Sequence, residues 1–503
     1  MQPLAIAVIG IPFLGAVACL AVRDKAAKYV GILASLLTAA AAVALSVGLP
    51  RETFLFGGMP WLGQATANGL FGYQLDPLAC VMLLVSTVIG VAIAIYSAGY
   101  LSPGNRDHAT REGQARYYFW LMYFVGSMVG LALSPTLLQM LVFWEMTTLC
   151  SWALISFYDN AESLKAGMKA LVMTSFGGLF FLGGLVWIFA ATGSMGFDAL
   201  GMMSPGVRAG AFACLMIAAW AKSAQFPFHT WLPDAMAAPT PISAYLHAAA
   251  MVKAGVFLMA RLLSAGWALP TGMGLLLSIA ALVTMFAALY FYFFQDDLKK
   301  LLAYSTIAQL AYVFLGLGLG SLGATMAFRG AVLHIMMHAC AKTTLFLTVG
   351  VVAYATGTRS ISRLSGLART MPIAALAFFV GALALTGVPP LACFWSKIYV
   401  LAGALQVPGA FGPIALILIL IESLITFAWF LWIGQKVFFG KPKQELTSRT
   451  WTESEKTEGH PLEVAGALRA PRSMDWILIA MIALTLLAPI AGIPLVSRII
   501  FMP

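Results

Sequence analysis

The chain reads as an all-α polytopic membrane protein of about fourteen transmembrane helices, and three observations predict that class. Its 503 residues are 61% hydrophobic and only 10% charged, with a mean hydropathy of +0.91. Apolar runs of about 20 residues, enough to span a bilayer, recur along its length. The few charges collect in short loops between those runs, where Gly and Pro punctuate the chain.

The runs fall near residues 3–22, 29–49, 76–101, 117–134, 136–157, 166–192, 209–231, 240–263, 269–294, 299–320, 322–355, 373–402, 411–438 and 474–496. The first, MQPLAIAVIGIPFLGAVACLAV, has no basic region before its apolar stretch and no small-residue cleavage site, so it reads as a retained span. Helix breakers interrupt the seventh and twelfth runs, at Pro227 and at Pro389–Pro390. Unwound backbone at membrane depth is tolerated only where it is buried in protein or lines a wet cavity.

Loop charges set the orientation. Loops after odd-numbered runs carry Arg23, Lys25, Lys28, Arg106, Arg111, Arg116, Lys165, Lys169, Lys299, Lys300, Arg359, Arg363 and Arg369. The segment before the last run adds seven more basic residues, whereas loops on the other side hold only Arg51, Arg208, Arg261 and Arg329. The positive-inside rule therefore expects both termini to be periplasmic, in a bacterial inner (cytoplasmic) membrane. Residues 440–472, polar and mixed in charge, are expected to be an exposed cytoplasmic loop.

The net charge of +10 reads as topology signals facing anionic lipid, not as a nucleic-acid surface. Six cysteines stand singly in apolar stretches with no C-x-x-C pair, which argues against an iron–sulfur cluster or structural zinc in this chain.

Five ionisable residues stand deep in apolar runs: Glu145, Lys222, Lys253, Lys342 and Lys397. A charge at mid-bilayer costs roughly 2.5–3.5 kcal/mol on insertion scales, so such residues mark function. Glu145 lies about 15 Å and Lys222 about 20 Å along their runs, both near mid-depth. An opposite charge favours each ionised form while burial opposes it, so a Glu145–Lys222 pair is a natural two-state proton element. The alternative is a static ion pair that locks two helices.

His334, His338 and Lys342, spaced i, i+4, i+8, share one helix face and form a candidate relay. His247 and Lys253 are six apart, about 240° around a regular helix, and share a face only if that helix is irregular. Each half of the chain places a lysine beside a break, Lys222 and Lys397, a pattern that points to a transporter's pathway. Glu422 is a second buried carboxylate, with either Lys397 or a neighbouring subunit as its partner. Asp234 and His229 read as loop or capping groups.

WAKSAQFPFHTWLPDAMAAPTPISAYLHAAAMVKAGVFLMAR, together with FWEMTTLCSWALISFY, DDLKKLLAYSTIAQLAYVFLGL, HIMMHACAKTTLFL and LTGVPPLACFWSK, resembles the antiporter-like, proton-translocating membrane subunits. That family includes the large membrane-arm subunits of complex I, Mrp-type cation/proton antiporter subunits and those of membrane-bound [NiFe] hydrogenases. The resemblance covers residues 70–435, and AIYSAGYLSPGNRDH and IESLITFAWFLW look most like the D subunits of hydrogenase 4, the formate hydrogenlyase type.

It implies N-terminal helices 1–3 over 1–116, inverted five-helix repeats over 117–263 (helices 4–8) and 269–438 (helices 9–13), and a last helix over 474–503. It implies a proton pathway through Glu145, Lys222, His247, Lys253, His334, His338, Lys342, Lys397 and Glu422. LACFWSK departs from the family in lacking a glycine–phenylalanine run before the terminal lysine. The implied partners are other antiporter-like and small membrane subunits plus a peripheral redox module, with lipid and without nucleic acid. Any Ni–Fe centre, iron–sulfur cluster or flavin would sit in those partners, and none in this chain. The expected function is a proton-translocating subunit of a hydrogenase or complex I-like NADH:quinone oxidoreductase. The alternatives are an Mrp-type Na⁺/H⁺ antiporter subunit and a membrane partner of an inorganic-carbon uptake system.

Overall fold

The computed structural model describes residues 2–48, 51–58, 69–441 and 469–501. A helical hairpin, α1 (Gln2–Ala21) and α2 (Asp24–Ser46), precedes two short strands, β1 (Glu52–Phe56) and β2 (Phe71–Leu75). Next come α3 (Pro77–Tyr100), α4 (Gln114–Ala132), α5 (Leu137–Ile155), α6 (Ala161–Thr192), α7 (Pro205–Lys222), α8 (Trp231–Asp234), α9 (Thr240–Ala248) and α10 (Met251–Leu263). The chain continues through α11 (Thr271–Tyr292), α12 (Leu298–Ser321) and α13 (Thr325–Thr356). It ends with α14 (Pro372–Thr386), α15 (Ala392–Ala404), α16 (Phe411–Phe438) and α17 (Arg472–Ser497).

Among the described residues eleven helices, with α9 and α10 taken as one, are long and apolar enough to cross a membrane. The other three expected runs are helical too, as α4, α7 and the pair α14–α15. The protein is a multi-pass membrane protein. The 440–472 segment lies mostly outside the described residues.

Polar caps start several helices where backbone N–H groups have no partner of their own. Asp76 accepts from Ala79 N at 2.8 Å, Asn160 from Ser163 N at 2.8 Å, and Asp297 from Lys299 N at 2.7 Å and Lys300 N at 3.1 Å. Helices α9, α10, α12 and α13 are buried on nearly all sides, whereas α1, α6, α16 and α17 turn large apolar side chains outward, among them Leu14, Leu179, Leu424 and Ile490. Apolar association gains little in lipid, so close packing of small residues brings helices together. Gly403 of α15 lies against the Ala327 backbone of α13, and Gly255 of α10 against Ala219 and Ser223 of α7.

Two features depart from the expected fold. The region between the second and third runs forms an antiparallel ribbon, with Glu52 opposite Leu75 and Phe56 opposite Phe71. Gly72, at φ +151°, lies so close to Phe54 O that a Cβ would approach to 1.9 Å, and Gln139 of α5 bonds its N–H and C=O. The eighth run is also broken, between α9 and α10, in HAAAM, which has no Pro or Gly to announce it. Ala250 leaves helical geometry there (φ −117°, ψ −114°). The two expected breaks are present, on opposite sides of their lysines: Lys222 ends α7 before its break, and Lys397 lies in α15 beyond its own.

The basic loops gather at one end of the bundle: Arg106 N bonds Tyr354 O, Leu298 N bonds Arg359 O, and Arg116 pairs with Asp159 at 2.7 Å. The other end joins α2 to α17, where Arg51 Nη2 donates to Arg498 O at 2.6 Å. At the basic end Asp107 is nearly enclosed. Burial pushes its carboxyl up, but the His108 ring nitrogen 3.3 Å away and the Arg359 and Lys299 charges prevail and hold it at about 2. A carboxyl held below its ordinary 3.8 stabilises the fold above that value and stops doing so as pH falls through the folded value. The 101–113 loop should therefore loosen between about pH 4 and pH 2, losing roughly 2 kcal/mol. Asp107→Asn should remove that transition, as read by hydrogen exchange at those amides. An unchanged acid profile in the variant would refute the assignment.

Candidate functional site

The first half is built on α5, α6 and α7. Lys222 is fully buried, and its Nζ donates to Trp144 O at 2.8 Å and Thr148 Oγ1 at 2.6 Å, 5.1 Å from the Trp144 ring centre. As the last residue of α7 it also sits where the helix dipole favours a cation. Glu145, one turn from Thr148 on the same face, is half-buried and packs on α6, where a Cβ at Gly178 would stand 1.9 Å from Oε1.

The expected Glu145–Lys222 pair is not a contact ion pair. Among the described residues the two make no ion contact within the 4.0 Å limit; Lys222 bonds Thr148, which lies one turn from Glu145 on the same face of α5. The lysine head joins the Thr147 and Thr148 hydroxyls on the Trp144 carbonyl, and the carboxylate packs toward α6.

Gly178→Ala should accordingly displace the carboxylate and slow ion transfer as much as loss of Glu145 does. Gly183→Ala, with nothing within 4 Å, is the matched control and should leave the rate unchanged. Equal rates in the two alanine variants would show that the Glu145 position is immaterial.

The halves meet at α10 and α13, where Lys253 Nζ lies 2.7 Å from His338 Nδ1, both wholly buried. The break before α10 resolves the six-residue spacing, since His247 and Lys253 both reach α13. His247 packs on Phe346, with ring centres 4.9 Å apart, and neither of its nitrogens has a partner among the described residues. His338 Nε2 is likewise unpartnered, and its ring lies 5.8 Å from that of His334. Toward α7, Ser223 Oγ donates to Val252 O at 2.8 Å, so the residues flanking Lys222 and Lys253 touch.

In the second half, His334 Nδ1 lies 2.8 Å from Ser396 Oγ and its Nε2 3.1 Å from Gln309 Oε1. Lys342 Nζ donates to Leu302 O at 3.0 Å and Ser305 Oγ at 2.5 Å. Lys397 Nζ donates to Thr386 O at 3.3 Å and Ser423 Oγ at 2.9 Å. Glu422, buried, accepts from Thr426 Oγ1 at 2.8 Å, and Thr426 lies 2.5 Å from Tyr292 Oη. Within the chain, Ser423 lies between Lys397 and Glu422, its hydroxyl 3.4 Å from Glu422 Oε2. Lys222, Lys342 and Lys397 share one cradle, a main-chain carbonyl plus a hydroxyl.

Lys299 is corrected from a loop charge to a buried group, whose Nζ donates to Met236 O at 2.7 Å and Ala238 O at 2.6 Å. Further along α12 a separate polar stripe, Ser305–Gln309–Tyr312, has the i, i+4, i+7 spacing of one helix face, and that was the signal available in DDLKKLLAYSTIAQLAY. Asp234 pairs with Lys169 at 2.7 Å near the surface, and His229 stacks between Phe226 and Phe291, so both stand outside this constellation.

Buried lysines and histidines joined by hydroxyls across broken helices define an antiporter-like membrane subunit. The chain belongs to the family described as NADH:quinone oxidoreductase/Mrp antiporter, which matches residues 134–426. Residues 61–118 match the N-terminus of chain 5 of NADH-ubiquinone oxidoreductase (complex I). Subunit 5 of the chloroplastic NAD(P)H-quinone oxidoreductase of Anthoceros angustus is 37% identical over 377 residues, 71% of this chain and 50% of that protein. Chain 5 from Synechocystis sp. is 38% identical over 366 residues, 69% of this chain and 52% of its own length. The chain thus spans about half the length of these curated relatives. Among solved structures, the Mrp complex from Dietzia sp. DQ12-45-1b superposes with a TM-score of 0.82 at 31% identity, over 98% of this chain and 51% of that one. The archaeal membrane-bound sulfane sulfur reductase shares the fold, with a TM-score of 0.81 at 24% identity over 99% and 97% of the two chains.

Proposed function

We propose that the chain is a proton-translocating, antiporter-like subunit of a multisubunit membrane redox complex, either complex I-like or a membrane-bound [NiFe] hydrogenase. The observation that carries this reading is the Lys253–His338 contact, which links lysine sites in two halves of one bundle. A proton cannot cross an apolar gap without hydrogen-bonded carriers, and this buried series supplies them. The route runs from Glu145 and Lys222, through His247, Lys253, His338, His334 and Lys342, to Lys397 and Glu422. The unpartnered nitrogens of His247 and His338 are sites for bridging water, since buried polar groups are rarely left unpaired.

In this reading 117–263 and 269–438 are inverted repeats, the basic end of the bundle is cytoplasmic, and the termini face the periplasm of a bacterial inner membrane. Redox cofactors belong to partner subunits. A second reading, an Mrp-type Na⁺/H⁺ antiporter subunit, is favoured by the likeness to the Mrp complex.

Purification through a tag on this chain, identification of co-eluting subunits, and reconstitution into liposomes carrying an internal pH dye test both. Redox subunits and sodium-independent proton uptake under a potassium diffusion potential are the expected result. Uptake that requires sodium exchange would transfer the assignment to the antiporter class, and a wild-type complex that moves no protons would overturn both.

A further inference from the structure

Glu422 and Ser423 are adjacent on α16, so their side chains leave the helix about 100° apart. Glu422 turns toward α11, where Thr426, one turn on, donates to Oε1 at 2.8 Å and Tyr292 closes the group. Ser423 turns toward α15 and receives Lys397 Nζ at 2.9 Å, while its own hydroxyl points to Glu422 Oε2 at 3.4 Å. The lysine stem is fixed as well: its Cδ lies 2.9 Å from where a Cβ on Gly387 would stand, and Gly387 takes φ +91° at the helix break. Lysine and glutamate therefore face each other across a single hydroxyl, with no contact within 4.0 Å among the described residues.

The first half holds the same trio on unrelated elements. Lys222 of α7 donates to Thr148 of α5 at 2.6 Å, and Thr148 shares a helix face with Glu145, three residues before it. A lysine, a hydroxyl and a glutamate thus occur twice, near either end of the buried series.

We propose that Ser423 is the relay hydroxyl that couples Lys397 to Glu422, making them the donor–acceptor couple of the second half as Thr148 makes Lys222 and Glu145 that of the first. The proposal rests on the proton-carrying reading above and adds to it a positioning residue and a definite acceptor. A direct ion pair in a low-dielectric interior binds its proton tightly and resists separation. A hydroxyl accepts from one side and donates to the other, so it passes charge without holding it. The Lys397 ammonium gives one proton to Ser423 Oγ as the serine's own proton passes to a Glu422 carboxylate oxygen. The products are a neutral amine and a neutral carboxylic acid, with the serine unchanged. The 3.4 Å step is the longer of the two, and a shift of a few tenths of an ångström makes or breaks it.

The test uses the intact complex in liposomes, with proton uptake driven by a potassium diffusion potential, so that no redox donor is needed. Ser423→Ala should lower uptake by about a hundredfold or more, the lower range for losing one proton-transfer group. Ser423→Thr, which restores a hydroxyl, should recover most of the rate, a rescue that a packing role would not give. Glu422→Gln should be as slow as Ser423→Ala, and the double variant no slower than either, because the two act in one step. Wild-type uptake in Ser423→Ala would overturn the relay, as would additive losses in the double variant or failure of threonine to rescue an assembled complex. Absence of uptake in the wild type would instead remove the proton-carrying reading, and this inference with it.

Discussion

Lys253→Met should stop proton movement between the two halves, lowering turnover by about a hundredfold or more, as loss of a positioned proton donor does. Lys253 Nζ and His338 Nδ1 lie 2.7 Å apart, and this is the direct side-chain bond joining α10 to the histidine stripe. Methionine keeps the unbranched stem, so the cavity stays filled. His338 is then left with both nitrogens unpaired, because Nε2 already lacks a protein partner, at a cost of about 1–3 kcal/mol. The complex should still assemble, and its melting temperature should fall far less than its rate. Wild-type pumping in an assembled Lys253→Met complex would exclude the crossing between halves at this point.

The second large effect is expected at Lys222, where methionine should reduce pumping to a similar degree. Its Nζ bonds the Trp144 carbonyl and the Thr148 hydroxyl. Thr148→Val, which keeps shape and removes the hydroxyl, should match Glu145→Gln, both milder than loss of the lysine. Combining Thr148→Val with Glu145→Gln should add little. Proton uptake with assembly checked by gel filtration decides it, and a silent Thr148→Val would return the pair to direct contact.

The broad features were legible because the membrane makes them so. A run of 20 apolar residues favours a helix, and the expected runs are helical to within a few residues of their limits except the seventh, which stops at Lys222, and the eighth and twelfth, which are interrupted. A lysine in such a run stands out because its cost is large. Thr148, Ser305 and Ser423 did not stand out, since a hydroxyl in an apolar helix usually bonds its own backbone and gives no sign of a lysine beyond. Thr148 does both, reaching Trp144 O at 3.2 Å as well as Lys222. Lys299 was hidden by its place near a helix start, where a basic residue reads as a topology signal. Gly178 and Gly255 were invisible for another reason: their role is the absence of a Cβ, which shows only when the facing helix is in place. The ribbon at 52–75 was too short to register against the surrounding helices.

The cradle shared by Lys222, Lys342 and Lys397 bears on how fast such a chain can cycle. A carbonyl only accepts, so it satisfies one N–H whether the lysine is an ammonium or an amine. A hydroxyl accepts from the ammonium and, by turning about its C–O bond, donates to the lone pair the amine exposes once its proton has gone. Both charge states thereby keep the same number of hydrogen bonds to the same two oxygens. Loading and unloading then need a rotor to turn, a picosecond-to-nanosecond event, and no helix to move. The reorganisation that limits turnover is then expected around His247, neither of whose ring nitrogens has a partner among the described residues.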